Sequence, residues 1–113
     1  MTGRGTVVWA PDPFKDGGNP RPWLIIAAER LPYPSEECIG VGLTTQAHHP
    51  GSFHIPSEAW LDGKPGGESY VLPWTLATLK DDLHVVGIQG TVTDEFLNRV
   101  TTATISYLDP DSS

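Results

Sequence analysis

Glycine and proline divide this sequence into short pieces, and that spacing restricts the folds open to it. The 113 residues include 12 glycines and 11 prolines. Short apolar pieces separated by turn-forming residues are typical of an all-β barrel or sandwich rather than of alternating strands and helices. The apolar pieces predict strands at residues 5–10, 21–28, 38–45, 52–55, 69–72, 74–79 and 84–92. We therefore expect a mainly β, antiparallel fold.

Proline at position 73 separates two of the predicted strands. Proline has no amide hydrogen to donate to a sheet ladder, so it usually lies at the start of a strand, on an edge or at a bulge. We therefore expect residues 74–79 to form a short strand of their own, after the strand at 69–72.

One segment, residues 94–108, predicts a helix. Thr93 is a good N-cap, and Asp94 and Glu95 complement the helix dipole in the first turn. Apolar and small residues then recur at intervals of three and four, which gives the helix one buried face. Asp109 and Pro110 end it.

The length of the chain suits a single domain spanning residues 1–113. The longest apolar run, residues 23–28, is too short to cross a bilayer, and the N-terminus lacks the pattern of a signal peptide. Cys38 is the single cysteine, which excludes an internal disulfide and fits a reducing compartment. We expect a cytoplasmic protein with no membrane partner.

The formal net charge of −7 argues against non-specific binding to duplex nucleic acid, which usually requires a positive surface. It leaves room for a local basic groove. Four of the seven cationic residues fall in the first 30 positions: Arg4, Lys15, Arg21 and Arg30.

The histidines and tryptophans have structural and functional interpretations. The four histidines and Cys38 lack the spacing of a zinc site, so we expect no metal or other cofactor. An acid–base role for a histidine, such as His54 beside a groove, stays open. We expect the tryptophans to lie mainly in the core, although Trp60 or Trp74 could stack on a base.

Several strings of residues occur in an order that resembles the MazF/PemK toxin family. They are GTVVW from Gly5, GNPRPWLII from Gly18, VGLTTQ from Val41, SYV from Ser69, LATL from Leu76 and TVT from Thr91. The resemblance covers roughly residues 5–108. It implies a small antiparallel SH3-like β-barrel of the CcdB/MazF type with a C-terminal helix. It also implies a homodimer, an antitoxin that wraps the dimer, and sequence-specific cleavage of single-stranded RNA without a metal ion.

The resemblance also implies which residues act. Arg21, in the Arg-Pro motif, and Thr44, at the end of the third predicted strand, correspond to the catalytic pair, with Thr45 in place of Thr44 if the register shifts by one residue. The residues expected to bind RNA are Lys15, Thr45, Gln46 and Lys80. From the residues alone, two plainer interpretations stay open. Arg21 could be a surface charge that pairs with a carboxylate, and the two threonines could simply favour a strand.

Cleavage of this kind uses the nucleophile that RNA carries, its 2′-hydroxyl. The enzyme then orients this group and stabilises charge on the phosphate, for which the planar fork of an arginine is well suited. Two features depart from the family pattern: the loop before Arg21 lacks a Gly-Ser-Glu string, and Ala77 stands where relatives often carry arginine. Alternative functions are a non-nuclease toxin that binds a protein such as gyrase, as CcdB does, and an inactive binding module. The C-terminal Asp111-Ser112-Ser113 lacks the Trp-Gly-Ile type of tail expected for a gyrase poison.

Overall fold

The computed structural model describes residues 3–12, 19–63, 67–80 and 85–111. These residues form seven strands, a short 3₁₀ turn and one α-helix. The elements are β1 (Thr6–Pro11), β2 (Pro20–Ala27), β3 (Glu37–Thr44), β4 (Phe53–His54), the 3₁₀ turn (Ser57–Ala59), β5 (Trp60–Gly63), β6 (Tyr70–Lys80), β7 (Gly87–Val92) and α1 (Asp94–Leu108).

The seven strands form one sheet in the order β4-β6-β3-β2-β1-β7-β5, and every neighbouring pair is antiparallel. The sheet curls into a half-barrel, with the helix at the end of the chain. This confirms the mainly β architecture predicted from the sequence.

The central strands are buried on both faces, as the continuous apolar run in β2 indicates. Leu24 and Ile26 point to the face covered by α1, which we call the helix face, while Trp23 and Ile25 point to the opposite face. Each face has its own apolar cluster. The cluster on the helix face includes Phe96, Leu97 and Val100 from α1, and the cluster on the opposite face includes Val8, Cys38 and Leu79.

The helix begins and ends where the sequence predicts. The hydroxyl of Thr93 accepts a hydrogen bond from the backbone N–H of Phe96 at 3.2 Å, which caps the first turn. The hydroxyl of buried Thr104 donates to the carbonyl of Pro73 at 2.7 Å and ties the helix to β6. No helix in the described part of the chain is both long and apolar enough to span a membrane.

The expected break at Pro73 is wrong, because β6 runs through it as one strand. Val41 pairs with Leu76 and Gly42 pairs with Leu72, so residues 73–75 bulge out of the ladder. A proline at a bulge leaves no ladder bond unmade. The hydroxyl of Thr75 fills the gap: it accepts from the N–H of Gly42 at 2.8 Å and donates to the carbonyl of Leu72 at 2.7 Å.

Other boundaries also differ from the prediction. The last strand begins at Gly87 rather than at residue 84, and residues 81–84 lie outside the described ranges. Strand β5 and the 3₁₀ turn were not predicted, because the glycine-rich stretch that follows them favours a turn.

The tryptophans divide between core and surface. Trp23 is buried and Trp60 packs against the helix-face cluster, as predicted. The core prediction is wrong for Trp9 and Trp74, whose exposed fractions are 37% and 38%. Trp9 pairs with Pro22 and Gly87, which are too small to cover its ring. Trp74 lies in the β6 bulge and contacts Tyr107 edge to face, with ring centroids 5.7 Å apart.

Candidate functional site

Strands β2 and β3 bring Arg21 and Thr44 to the same end of the sheet. Trp23 pairs with Gly42, and two residues further along each strand lie Arg21 and Thr44. The Nη2 of Arg21 donates to the carbonyl of Leu43 at 2.9 Å. The guanidinium therefore lies against the peptide bond that joins Leu43 to Thr44.

Two further groups fix the guanidinium in place. Its Nη1 lies 3.4 Å from the Oδ2 of Asp12, and its Cζ lies 5.6 Å from the ring centroid of Trp23. The side chain of Arg21 is 31% exposed and that of Asp12 only 10%. Arginine has five N–H donors in a planar fork, and these two hydrogen bonds use only part of them. The remaining donors can bind an anion such as a phosphate.

The carboxylate that contacts Arg21 belongs to Asp12, which the sequence alone does not single out. Ala10 pairs with Arg21 across β1 and β2, and Asp12 follows two residues later on the same side of the strand. The sequence does contain one sign of this contact. An acidic residue follows the first strand, and that strand pairs with the strand that carries the Arg-Pro motif. Finding it required the β1–β2 register, which the sequence does not provide.

Glycine at position 42 gives the guanidinium room to approach β3. A Cβ at this position would lie 3.4 Å from the Nη2 of Arg21 and 3.0 Å from the Oγ1 of Thr75. The contact with Thr75 is the tight one, and it involves a hydroxyl held by two hydrogen bonds, while the contact with Arg21 is at van der Waals distance. Thr75 is a second residue missed from sequence, since its position depends on the β6 bulge.

Thr44 is the last residue of β3 and faces Tyr70 of β6. Side chains alternate along a strand, so Thr44 shares the face of Gly42 and the Arg21 guanidinium. Its Oγ1 accepts a hydrogen bond from the N–H of Gln46 at 3.1 Å. A hydroxyl that accepts in this way keeps its own proton to donate.

The predicted RNA-binding residues separate into two groups. Thr45 and Gln46 are exposed and adjoin Thr44. Lys80 lies at the other end of the β3–β6 pair, where it faces Glu37 and its Nζ lies 2.5 Å from the Glu37 Oε2. From Glu37 to Thr44 the strand runs about 23 Å at its usual rise per residue. Lys15 lies outside the described residues.

The contact with Glu37 also stabilises the charged form of Lys80. The hydrogen bond that the Lys80 ammonium donates to the Glu37 carboxylate raises the pKa of Lys80 above its ordinary value, and the charges of Glu37 and Glu36 act in the same direction. Because Lys80 pairs with Glu37, at the far end of β3 from Thr44, the structure does not bring it to the Arg21–Thr44 end of the sheet. Its role in RNA binding stays a prediction.

A groove of about 430 Å³ opens on the helix face at the same strand ends. Pro22 and Leu43, the chain neighbours of Arg21 and Thr44, line it. The other lining residues are Trp9, Thr44, Thr45, Gly67, Ser69 and Gln89. The groove therefore opens on one face of the sheet and the guanidinium of Arg21 lies on the other face. Both are at the same ends of β2 and β3.

His54 lies two strands from Thr44, in the same row across the sheet. It faces Tyr70 of β6, which in turn faces Thr44, so two strand spacings of about 4.8 Å separate the backbones of His54 and Thr44. The His54 ring contacts the carboxylate of Glu68. Among the residues that the structure describes, no three His, Cys, Asp or Glu side chains are grouped to hold a metal ion.

Solved structures share this fold. One is an endoribonuclease in complex with its cognate antitoxin from a mycobacterial species, with a TM-score of 0.68, 24% identity, and coverage of 96% of this chain and 95% of that chain. Another is an endoribonuclease from a mycobacterial species, also with a TM-score of 0.68 and 24% identity, with coverage of 93% and 88%. Neither a protein-family model nor a curated protein matches the sequence. The chain thus has the fold that the resemblance to MazF/PemK toxins implies.

Proposed function

We propose that this protein is a toxin of the MazF/PemK type, an endoribonuclease that cleaves single-stranded RNA at the Arg21–Thr44 end of the sheet. The observation that carries the proposal is the hydrogen bond from Arg21 to the Leu43 carbonyl. It holds the cationic fork against the peptide bond that precedes Thr44, in a fold shared with solved endoribonucleases. A guanidinium with a threonine next to it in this way suits a phosphate.

The proposed reaction is an internal transfer within the RNA. The 2′-oxygen loses its proton to water and attacks the adjacent phosphorus, forming a 2′-O–P bond. The bond from phosphorus to the 5′-oxygen breaks, and that oxygen leaves as a hydroxyl after taking up a proton. The products are a 2′,3′-cyclic phosphate and a 5′-hydroxyl, and the step consumes no metal or cofactor.

Arg21 and Thr44 act on the phosphate in this scheme. Negative charge builds up on the non-bridging oxygens as the fifth bond to phosphorus forms. The unused N–H groups of Arg21 stabilise this charge, and they are already fixed by Leu43, Asp12 and Trp23, so little reorganisation is needed. The Thr44 hydroxyl donates a further hydrogen bond and keeps the scissile group aligned. Thr45 and Gln46 contact the neighbouring part of the RNA strand.

The direct test is cleavage of single-stranded RNA by purified protein in EDTA. Losing one electrostatic donor typically costs about 10²–10³ in rate, so we expect Arg21→Ala to reduce cleavage at least that much and Thr44→Ala to reduce it strongly. Arg30→Ala is the matched control, because Arg30 is exposed in the turn after β2 and its loss changes the net charge equally. Full cleavage by Arg21→Ala would refute the assignment, and a requirement for added Mg²⁺ would refute the mechanism.

The proposal includes a homodimer and a cognate antitoxin in the cytoplasm. The support is the resemblance to the family, together with the solved complex of an endoribonuclease of this fold with its antitoxin. Light scattering at micromolar concentration should give twice the monomer mass. A short neighbouring reading frame whose product binds the protein and stops RNA cleavage would identify the antitoxin.

A further inference from the structure

A β-bulge turns Gln89 toward the groove on the helix face. Val8 pairs with Ile88 and Val7 pairs with Gly90, so Gln89 is the extra residue of β7 that faces no residue of β1. Bulges of this kind redirect a side chain and are common next to active sites. Gln89 lines the groove together with Thr44.

The amide of Gln89 has hydrogen-bonding capacity that the described residues do not use. Its Oε1 is buried and has no hydrogen-bond partner among them. Buried polar atoms in folded proteins are nearly always paired, so this oxygen is free to take a partner beyond the described residues, such as a bound ligand. A rotation about the last side-chain torsion turns either the oxygen or the NH₂ group of the amide to the groove.

The rest of the groove offers apolar and hydrogen-bonding groups of the kinds that hold a nucleic-acid base. The ring of Trp9 is 37% exposed and offers a flat apolar surface, while Pro22 and Leu43 supply further apolar walls. Ser69, Thr44 and Thr45 add hydroxyls. Proteins that recognise single-stranded RNA stack splayed bases on aromatic side chains and bind their edges with amides and hydroxyls.

From these observations we propose that the groove binds one unstacked base, and that Gln89 determines which base is accepted next to the cleaved phosphodiester. The inference rests on the proposed function, since it names a subsite for the same RNA. The strand ends of β2 and β3 separate the groove from the Arg21 guanidinium. An RNA strand that crosses this edge presents a phosphate to Arg21 and a neighbouring base to Trp9 and Gln89.

The base that fits the amide best is adenine. A glutamine amide both donates and accepts, and it forms two parallel hydrogen bonds with the donor and acceptor on one edge of adenine. A good bidentate pair of this kind discriminates between bases by about fivefold to 150-fold. The wild-type protein should therefore favour adenine at one position beside the cleavage site.

The test compares cleavage sites in a pool of single-stranded RNA with randomised sequence. We expect the wild type to enrich adenine at one position, and Gln89→Met, which keeps the length of the side chain but not its hydrogen bonds, to lose that preference by at least fivefold. Preferences at other positions should persist. Asn98→Met is the control, because it removes an amide from the exposed side of α1 and should leave the whole profile unchanged.

A second variant keeps the test decisive if Gln89→Met does not fold. Gln89→Glu retains the shape of the side chain but only accepts hydrogen bonds, so the preference should move from adenine toward cytosine, whose amino group donates. An unchanged profile in a folded Gln89 variant would overturn the inference and leave the proposed nuclease intact.

Binding separates failure of the inference from failure of the nuclease. Short 2′-O-methyl oligonucleotides that differ at one base cannot be cleaved, and fluorescence anisotropy gives their affinities. Tighter binding of the adenine-containing oligonucleotide by the wild type, lost in Gln89→Met, supports the subsite even if the protein cuts no RNA. Equal affinity of the wild type for all four bases would overturn it.

Discussion

The guanidinium of Arg21 lies 3.4 Å from the carboxylate of Asp12, so the residue proposed to bind the scissile phosphate already contacts an anion. This is the carboxylate pairing that the sequence left open as the plainer interpretation of Arg21. The two interpretations are compatible, because the second hydrogen bond of Arg21 goes to the Leu43 carbonyl and other donors of the fork remain. Asp12 holds the fork in the orientation that a phosphate would meet.

The first prediction concerns the stability of the Arg21–Asp12 pair. We expect Arg21→Ala to lower the free energy of unfolding by about 1.5–3 kcal/mol, since hydrogen bonds to charged groups contribute about that much. Combining it with Asp12→Asn should recover part of the loss, because the carboxylate that faced the guanidinium is then neutral. Urea unfolding of both single variants and the double variant measures the coupling. Strictly additive losses would contradict a direct interaction.

Gly42→Ala should reduce RNA cleavage far more than it reduces stability. The added methyl group would lie only 3.0 Å from the Thr75 Oγ1, which two hydrogen bonds hold, and 3.4 Å from the Arg21 Nη2. Relief of the tight contact with Thr75 pushes the methyl group toward the guanidinium, which then has to move. A displacement of about 1 Å near the reacting atoms can cost about 10²-fold in rate. Cleavage assays and thermal denaturation of the same preparation separate the two effects. A wild-type cleavage rate would show that Arg21 needs no such close fit to β3.

Thr75→Val should destabilise the β6 bulge by about 1–3 kcal/mol, because the N–H of Gly42 loses its acceptor. Thr75→Ser keeps the hydroxyl and should lose much less. Thr102→Val, on the exposed side of α1, is the control for the same chemical change. Chemical denaturation gives the three values, and equal losses in Thr75→Val and Thr75→Ser would argue against the hydroxyl.

Thr104→Val should loosen the contact between α1 and β6. The Thr104 hydroxyl is buried and donates to the Pro73 carbonyl at 2.7 Å. Its loss leaves a buried carbonyl without that donor, at a cost of about 1–3 kcal/mol. Hydrogen exchange at the C-terminal half of α1 should become faster than in the wild type. Unchanged exchange there would contradict this role.

The helix and the positions of the central strands along the chain were predictable because their signals are local. The cap at Thr93 and the apolar spacing of residues 94–108 lie within one segment, and the apolar runs mark the central strands directly. The Pro73 bulge, the Asp12 contact and the position of Gln89 were not predictable. Each depends on the register between strands that are distant in sequence. The bulges shift that register, and no residue pattern near them in the sequence predicts the shift.

The candidate site shows the same division. Arg21 and Thr44 were identified through the resemblance, and the structure brings them to one strand end through the β2–β3 register. Lys80 was expected to bind RNA with them, and the register places it at the opposite end of β3. The position of Lys80 in the sequence did not reveal how far it lies from Arg21 and Thr44.

In the proposed reaction, RNA supplies the nucleophile while Arg21 and Thr44 stabilise the phosphate. Two single-stranded oligonucleotides test it most directly: one is all RNA, and the other carries a single 2′-deoxy nucleotide on the 5′ side of the cleaved bond. In EDTA, the wild type should cut the first, leaving a 2′,3′-cyclic phosphate, and should leave the second intact at that bond, while Arg21→Ala cuts neither at a comparable rate. Cleavage of the 2′-deoxy substrate at the wild-type rate would contradict the account.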